Sequence, residues 1–203
     1  MAGQTQGNPA VVGLAGFGAT TLLLQFHNLG LCGAGVVFCM AIAFGGTAQL
    51  IAGYLEFNTG NNFGFCAFTA YGAFWLALAT IFLFLHLGFA PKSVLAINMP
   101  TDLGYFLLVF TIFTAILFIG SFAISVAMFL TFLTLLIGFI GLDLATLAGM
   151  GNVMEITAID LIVCALIAWY MMAHVIFLQV FGKNILPVGS PLVSKPQLAA
   201  KAA

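Results

Sequence analysis

The segment Leu103–Leu142, LGYFLLVFTIFTAILFIGSFAISVAMFLTFLTLLIGFIGL, runs for 40 residues between Asp102 and Asp143 without a charged side chain. One bilayer crossing takes about 20 predominantly apolar residues, so the segment is long enough for two. Gly120-Ser121, near its middle, is the natural place for a break. The same arithmetic works outward in both directions. Residues 1–55 carry no charge, and Asn28-Leu29-Gly30 with Gly33 divides them into two crossings. Thirty-five uncharged residues separate Glu56 from Lys92, and 22 separate Asp160 from Lys183, one crossing each. The predicted spans are 10–29, 35–56, 63–87, 102–119, 122–141 and 153–181. The expected fold is an all-α integral membrane protein of six transmembrane helices. It comprises an N-terminal segment 1–9, a six-helix membrane domain 10–182 and a C-terminal tail 183–203.

Composition agrees with this reading. The 203 residues include four Lys, no Arg and five Asp plus Glu, and 64% are hydrophobic, with a mean hydropathy of +1.24. A soluble chain of this length carries roughly a quarter charged residues, on the order of 50. With so few polar groups, a soluble domain would expose large apolar patches. Without a basic stripe no phosphate backbone is neutralised, which excludes nucleic acid as a partner. So apolar and aromatic a chain is not intrinsically disordered.

Lysine placement orients the chain. Lys183, Lys195 and Lys201 all come after the sixth span, which puts the tail in the cytoplasm, and an even number of crossings puts the N-terminus there too. Lys92 alone opposes this. The apolar run at the N-terminus has no basic flank, so no cleaved signal is expected. Pro191–Pro196 reads as disordered tail. Cys32, Cys39, Cys66 and Cys164 are scattered among apolar neighbours and read as buried, inert thiols.

In a membrane helix, the informative residues are those that hydrocarbon disfavours. Gly46, Gln49, Gly53 and Glu56 recur at offsets 0, 3, 7 and 10 and share one helical face. They form either a glycine seam with Gln49 bonded across helices or a polar lane ending at an acidic mouth. Spacing alone does not choose between the two. The first span carries Gly13, Gly16, Phe17, Thr20 and Thr21, then His27 and Asn28, although membrane threonines often bond the carbonyl one turn back. The third has an aromatic line, Phe68, Tyr71 and Trp75, in which the Tyr71 phenol needs a partner. The fifth has Thr131, Thr134 and Leu135. Asn152 to Glu155 reads as an Asn cap with an acidic third helical position. Asp160 lies deeper, as a shallow solvated or paired acid or as part of a subunit contact. His27, His86 and His174 are each alone, so no haem or metal is expected. No Ser-His-acid set, phosphate loop or HExxH supports an enzyme, and no cofactor is implied.

Asn8-Pro9-Ala10, Gly13-Leu14, Gly16-Phe17-Gly18, Thr20-Thr21 and His27-Asn28 form a signature. It continues through Gly45-Gly46-Thr47-Ala48-Gln49, Gly53-Tyr54-Leu55-Glu56, Gly60-Asn61 and Ala67–Trp75, and closes with Phe181-Gly182-Lys183 and Leu186-Pro187-Val188-Gly189. Over nearly its whole length the chain resembles the acetate uptake (succinate–acetate permease) transporter family. The resemblance implies six-helix protomers in a homohexameric ring in the inner or plasma membrane. Each protomer would carry its own path for acetate and similar small carboxylates, working as a proton-coupled transporter or an anion channel. It implies an apolar waist of Phe17, Tyr71 and Leu135, polar path positions at Thr20, Thr21, Gln49 and Asn8, and Glu56 toward one mouth as a proton-handling group. The sequence departs from the family at Val11-Val12, usually Pro-Leu, at Lys183, usually Arg, and at the apolar run Val175–Leu178.

Two other classes fit the residues less well. A water or neutral-solute channel of the aquaporin type uses two Asn-Pro-Ala motifs and a selectivity Arg; here there is one motif and no Arg. A haem-bearing membrane anchor needs facing histidines. A carboxylate in a low-dielectric waist requires hydrogen bonds in place of hydration. Without Arg, tight bidentate capture is not available, which suits passage, and monocarboxylates, better than tight holding.

Overall fold

The computed structural model describes residues 7–194 and contains six long apolar helices. They are α1 (Ala10–Asn28), α2 (Ala34–Asn58), α3 (Asn62–Leu87), α4 (Thr101–Ser121), α5 (Val126–Thr146) and α6 (Gly151–Phe181). Their mean hydropathies run from 1.4 to 2.4 over membrane-length windows. α4 turns Val109, Ile112, Ile116 and Ile119 outward, between 59% and 72% exposed. Such a stripe needs apolar surroundings, and with six apolar helices of membrane length this is an integral membrane protein. Glycines in left-handed conformation end α3 and α6, Gly88 at φ 65° and Gly182 at φ 63°, where a side chain would be strained.

Order in space runs α4–α5–α6–α1–α2–α3, each helix lying along the next. Close approach depends on small residues. A Cβ on Gly16 would stand 2.6 Å from the Phe44 carbonyl oxygen of α2, and one on Gly45 would strike the Thr20 hydroxyl. Within α2, Ala43–Ala48 is wound as a π-helix, and the Thr47 hydroxyl donates to the Ile42 carbonyl five residues back, at 2.7 Å. Such a bulge shifts the register of the remaining helix. Beyond it, Gln49, Gly53 and Glu56 all face inward. α3 and α4 meet through side chains, including the Phe74 and Phe106 rings stacked 5.2 Å apart and Phe74 edge-on to Phe110 at 4.8 Å.

Four local expectations are corrected. α4 continues through Ser121, whose hydroxyl bonds the Phe118 carbonyl, so the break falls at residues 122–125. Ser125 caps α5 by accepting from the Met128 N–H at 3.1 Å, which moves the fifth helix several residues later than predicted. Asn152 caps nothing: it sits in a 3₁₀ turn, Gly151–Val153, and Glu155 is simply exposed in the next turn. Cys39 and Cys66 lie on the exposed surface, while Cys164 is buried and Cys32 half-buried.

The tail also differs up to the last described residue. Leu192 and Val193 N–H groups donate to the Phe122 carbonyl, and the Ala127 N–H donates to the Val188 carbonyl. The Tyr170 hydroxyl donates to the Pro187 carbonyl, and His174 Nδ1 bonds the Leu186 carbonyl. Residues 185–193 thus form a strap tied to the α4–α5 turn. Apolar Val188, Leu192 and Val193 bring it back to the bundle, which a purely polar tail would not do. Lys195, Pro196 and Lys201, and residues 1–6 of the N-terminal segment, lie outside the described residues.

Candidate functional site

Six helices that alternate in direction place the starts of α1, α3 and α5 on one side of the bundle. A cavity of about 350 Å³ opens between them. α1 contributes Ala10, Leu14 and Phe17, α2 contributes Gln49, α3 contributes Phe63, Gly64, Phe68 and Tyr71, and α5 contributes Thr131, Phe132 and Leu135. Ala123 and Ile124 of the α4–α5 turn complete its rim. Deeper lies a second cavity of about 30 Å³, lined by Thr21, Gln25, Trp75, Phe139 and their neighbours, with room for about one water.

Phe17, Tyr71 and Leu135 belong to both linings. They are 6%, 3% and 4% exposed, and together they separate the two spaces. The Phe17 and Tyr71 ring centroids are 5.9 Å apart at an interplanar angle of 57°. The Tyr71 hydroxyl is turned to α4, where it meets the Thr114 hydroxyl at 2.7 Å. The separating residues therefore present ring and aliphatic surface to either cavity.

Charge is absent from both linings. Three helix N-termini converge on the larger cavity, each capped by a side-chain oxygen, Asn8 on α1, Asn61 on α3 and Ser125 on α5. Each terminus carries the equivalent of about half a positive elementary charge. Ala10 of α1, Gly64 of α3 and Met128 of α5 all stand in its wall. Its principal polar side chain is Gln49, which is fully buried, with neither amide atom bonded within the protein. An orphaned amide in such surroundings costs about 1–3 kcal/mol unless something fills the space and bonds it. A water or a small ligand with an acceptor oxygen would satisfy it.

The other predicted positions fall around this axis. Thr21 lines the smaller cavity. Thr20 is fully buried against Gly45, its hydroxyl unbonded, and lines neither. Asn8 is exposed and accepts from the Ala10 N–H at 2.9 Å, bracing the first turn of α1 outside the cavity wall. Glu56 is 2% exposed and stands behind the wall. Its Oε2 accepts from Asn61 Nδ2 at 2.7 Å and from the Thr59 hydroxyl at 3.2 Å, while Oε1 is buried without a partner. Asn61 also accepts from the Gly64 N–H, capping α3, and itself lines the cavity. Gln49 and Glu56 thus share one inward face of α2, and the glycine between them, Gly53, lets α3 approach: a Cβ there would strike Thr69.

Sequence reasoning passed over three positions. Gln25 lines the smaller cavity and accepts from Asn28 Nδ2 at 2.9 Å; its offsets of four and eight from Thr21 and Phe17 were a readable signal. Asn61, noted only as part of the signature, is of the type favoured at a helix N-cap and stands directly before α3. Thr114 sits in an otherwise greasy span and gave no signal. Asp143 accepts from the Thr111 hydroxyl at 2.6 Å, and Asp160 is half-buried with Oδ2 unbonded; both lie away from the two cavities. Among the described residues no cluster of three or more His, Cys, Asp or Glu forms a metal site.

Known proteins resemble this chain in sequence and fold. The profile of the GPR1/FUN34/yaaH family matches residues 1–181. The succinate-acetate/proton symporter SatP of Escherichia coli (strain K12) is 36% identical over 185 residues, covering 90% of this chain and 95% of its own. Acetate permease A of Emericella nidulans is 33% identical over 178 residues, 80% of this chain and 59% of its own. A solved structure of the bacterial acetate channel SatP superposes with a TM-score of 0.85 at 34% identity, covering 91% of this chain and all of that one.

Proposed function

The chain belongs to the GPR1/FUN34/yaaH family, and on that premise we propose that it carries acetate and related small monocarboxylates across the membrane through a path within each protomer. The observation that carries this is the uncharged cavity of about 350 Å³ on which three helix N-termini and the unbonded Gln49 amide converge. Helix N-termini favour anions without fixing them as a guanidinium would. An unbonded Gln amide replaces part of a carboxylate's hydration. The named relatives, a succinate-acetate/proton symporter, an acetate permease and an acetate channel, have acetate in common, and the first adds succinate, a dicarboxylate, as a second candidate substrate.

In this reading, acetate enters from the side of the chain termini, rests near Gln49 and passes Phe17, Tyr71 and Leu135 to reach the smaller cavity and the far side. An apolar waist makes the loss of hydration the main barrier, and it discriminates by size. Glu56 is assigned the proton, since one of its oxygens is buried and unbonded beside Asn61 in the cavity wall. Thr21 supplies a hydroxyl to the smaller cavity, Thr20, one turn of α1 past Phe17, is its buried neighbour with a free hydroxyl, and Asn8 holds the α1 N-terminus toward the mouth. The assembly is a homohexamer in the inner or plasma membrane with both termini in the cytoplasm.

Reconstituted protein tests this directly. Labelled acetate uptake is measured in liposomes under an imposed pH gradient and then under an imposed voltage at equal pH. Accumulation driven by the pH gradient marks proton coupling, and voltage-driven flux without pH dependence marks an anion channel. Uptake no greater than in empty liposomes under both conditions would overturn the proposal.

A further inference from the structure

Thr114 lines neither cavity, yet its hydroxyl lies 2.7 Å from that of Tyr71, and the two residues are 0% and 3% exposed. Most threonines in these helices behave otherwise. Thr80, Thr131, Thr134, Thr146 and Thr157 each donate to the carbonyl one turn back on their own helix. Thr114 is committed across helices instead. Four aromatic rings pack near the Tyr71 ring, those of Phe17, Phe110, Phe113 and Phe132, and none offers an acceptor. A buried phenol keeps its partner or seeks another. Without Thr114, the partners on the cavity side are the unbonded Gln49 amide, water or a carboxylate in the path.

We propose that Thr114 is a positioning residue for size selection: it tethers the Tyr71 phenol to α4, off the path, and so fixes the ring opposite Phe17 and Leu135. This rests on the transport function proposed above. With the tether in place, the waist has a set width and an apolar surface. Once released, the ring turns its hydroxyl toward the path, the width is no longer fixed, and discrimination between acetate and a bulkier hydroxylated monocarboxylate falls. The hydroxyl group of residue 114 carries the effect, and its bulk does not.

The test measures acetate and lactate flux into liposomes holding wild-type protein, Thr114→Val, Thr114→Ser, Tyr71→Phe and the Thr114→Val/Tyr71→Phe pair, each corrected for empty vesicles. Thr114→Val is expected to lower the acetate-to-lactate ratio about fivefold, the order of one lost hydrogen bond. Thr114→Ser keeps the wild-type ratio. Thr114→Val adds nothing once Tyr71 is Phe, because the tether is already gone. An unchanged ratio in Thr114→Val, an equal loss in Thr114→Ser, or a full further loss in the pair would overturn the proposal. If the valine variant does not reconstitute, Thr114→Ser with an unchanged ratio and Tyr71→Phe with a lowered one support it, and the reverse overturns it. Wild-type protein that carries no acetate refutes the transport function itself, a result distinct from wild-type flux with an indifferent Thr114.

Discussion

The Phe17 and Tyr71 rings meet 5.9 Å apart where the larger cavity ends and the smaller begins. They come from helices that are not sequence neighbours, and the α5 residue Leu135 closes the third side. No charged group lies in the lining on either side of them. Selection in such a path depends on a solute's loss of hydration and on its width, with weak donors compensating part of the loss.

Substrate charge is the first consequence. A second carboxylate doubles the desolvation cost, and the chain contains no Arg to offset it. Competition between labelled acetate and succinate in liposomes is expected to show succinate carried about tenfold more slowly or worse. Equal, saturable transport of both would contradict the account.

Gln49 separates function from stability. Its amide is fully buried and unbonded, so Gln49→Leu removes an orphaned polar group and is expected to leave the thermal midpoint unchanged or raise it, by about 1 kcal/mol in stability. Acetate flux is expected to fall several-fold in the same variant. A stability loss with normal flux would make Gln49 a packing residue only.

Glu56 ties together the α2–α3 junction through Asn61 and Thr59. Glu56→Gln keeps an acceptor for Asn61 but loses the charge, at a cost of about 1–2 kcal/mol in stability. Uptake driven by a pH gradient is expected to disappear while voltage-driven flux persists. Undiminished pH-driven accumulation in Glu56→Gln would take the proton away from this residue.

Much of the fold was legible because hydrocarbon imposes so few solutions. Charge-free runs of membrane length place all six helices, although the break expected at Gly120-Ser121 falls at residues 122–125. Boundaries slipped where a side chain set them locally: Ser125 caps α5, and Asn152 is drawn into a 3₁₀ turn instead of capping α6. The π turn at Ala43–Ala48 was not readable, since Gly45-Gly46 is equally compatible with an ordinary helix. The inward face Gln49–Gly53–Glu56 was visible from spacing, but whether Gln49 is bonded depends on its neighbours in space. Family resemblance, more than spacing, singled out Phe17, Tyr71 and Leu135. Thr114 and the strap at residues 185–193 are set by tertiary contacts between distant segments, which a one-dimensional pattern does not carry.

The most direct measurement fills the waist. Leu135→Trp places an indole beside Phe17 and Tyr71; the smaller cavity of about 30 Å³ does not accommodate it, and turned toward the larger cavity it still fills the path. Labelled acetate flux is compared in liposomes holding equal amounts of folded wild-type protein, Leu135→Trp protein and none. The account predicts saturable flux with the wild type and flux near the empty-liposome level with Leu135→Trp. Wild-type flux through the tryptophan variant would contradict it, because acetate would then cross by a route that does not pass these three side chains.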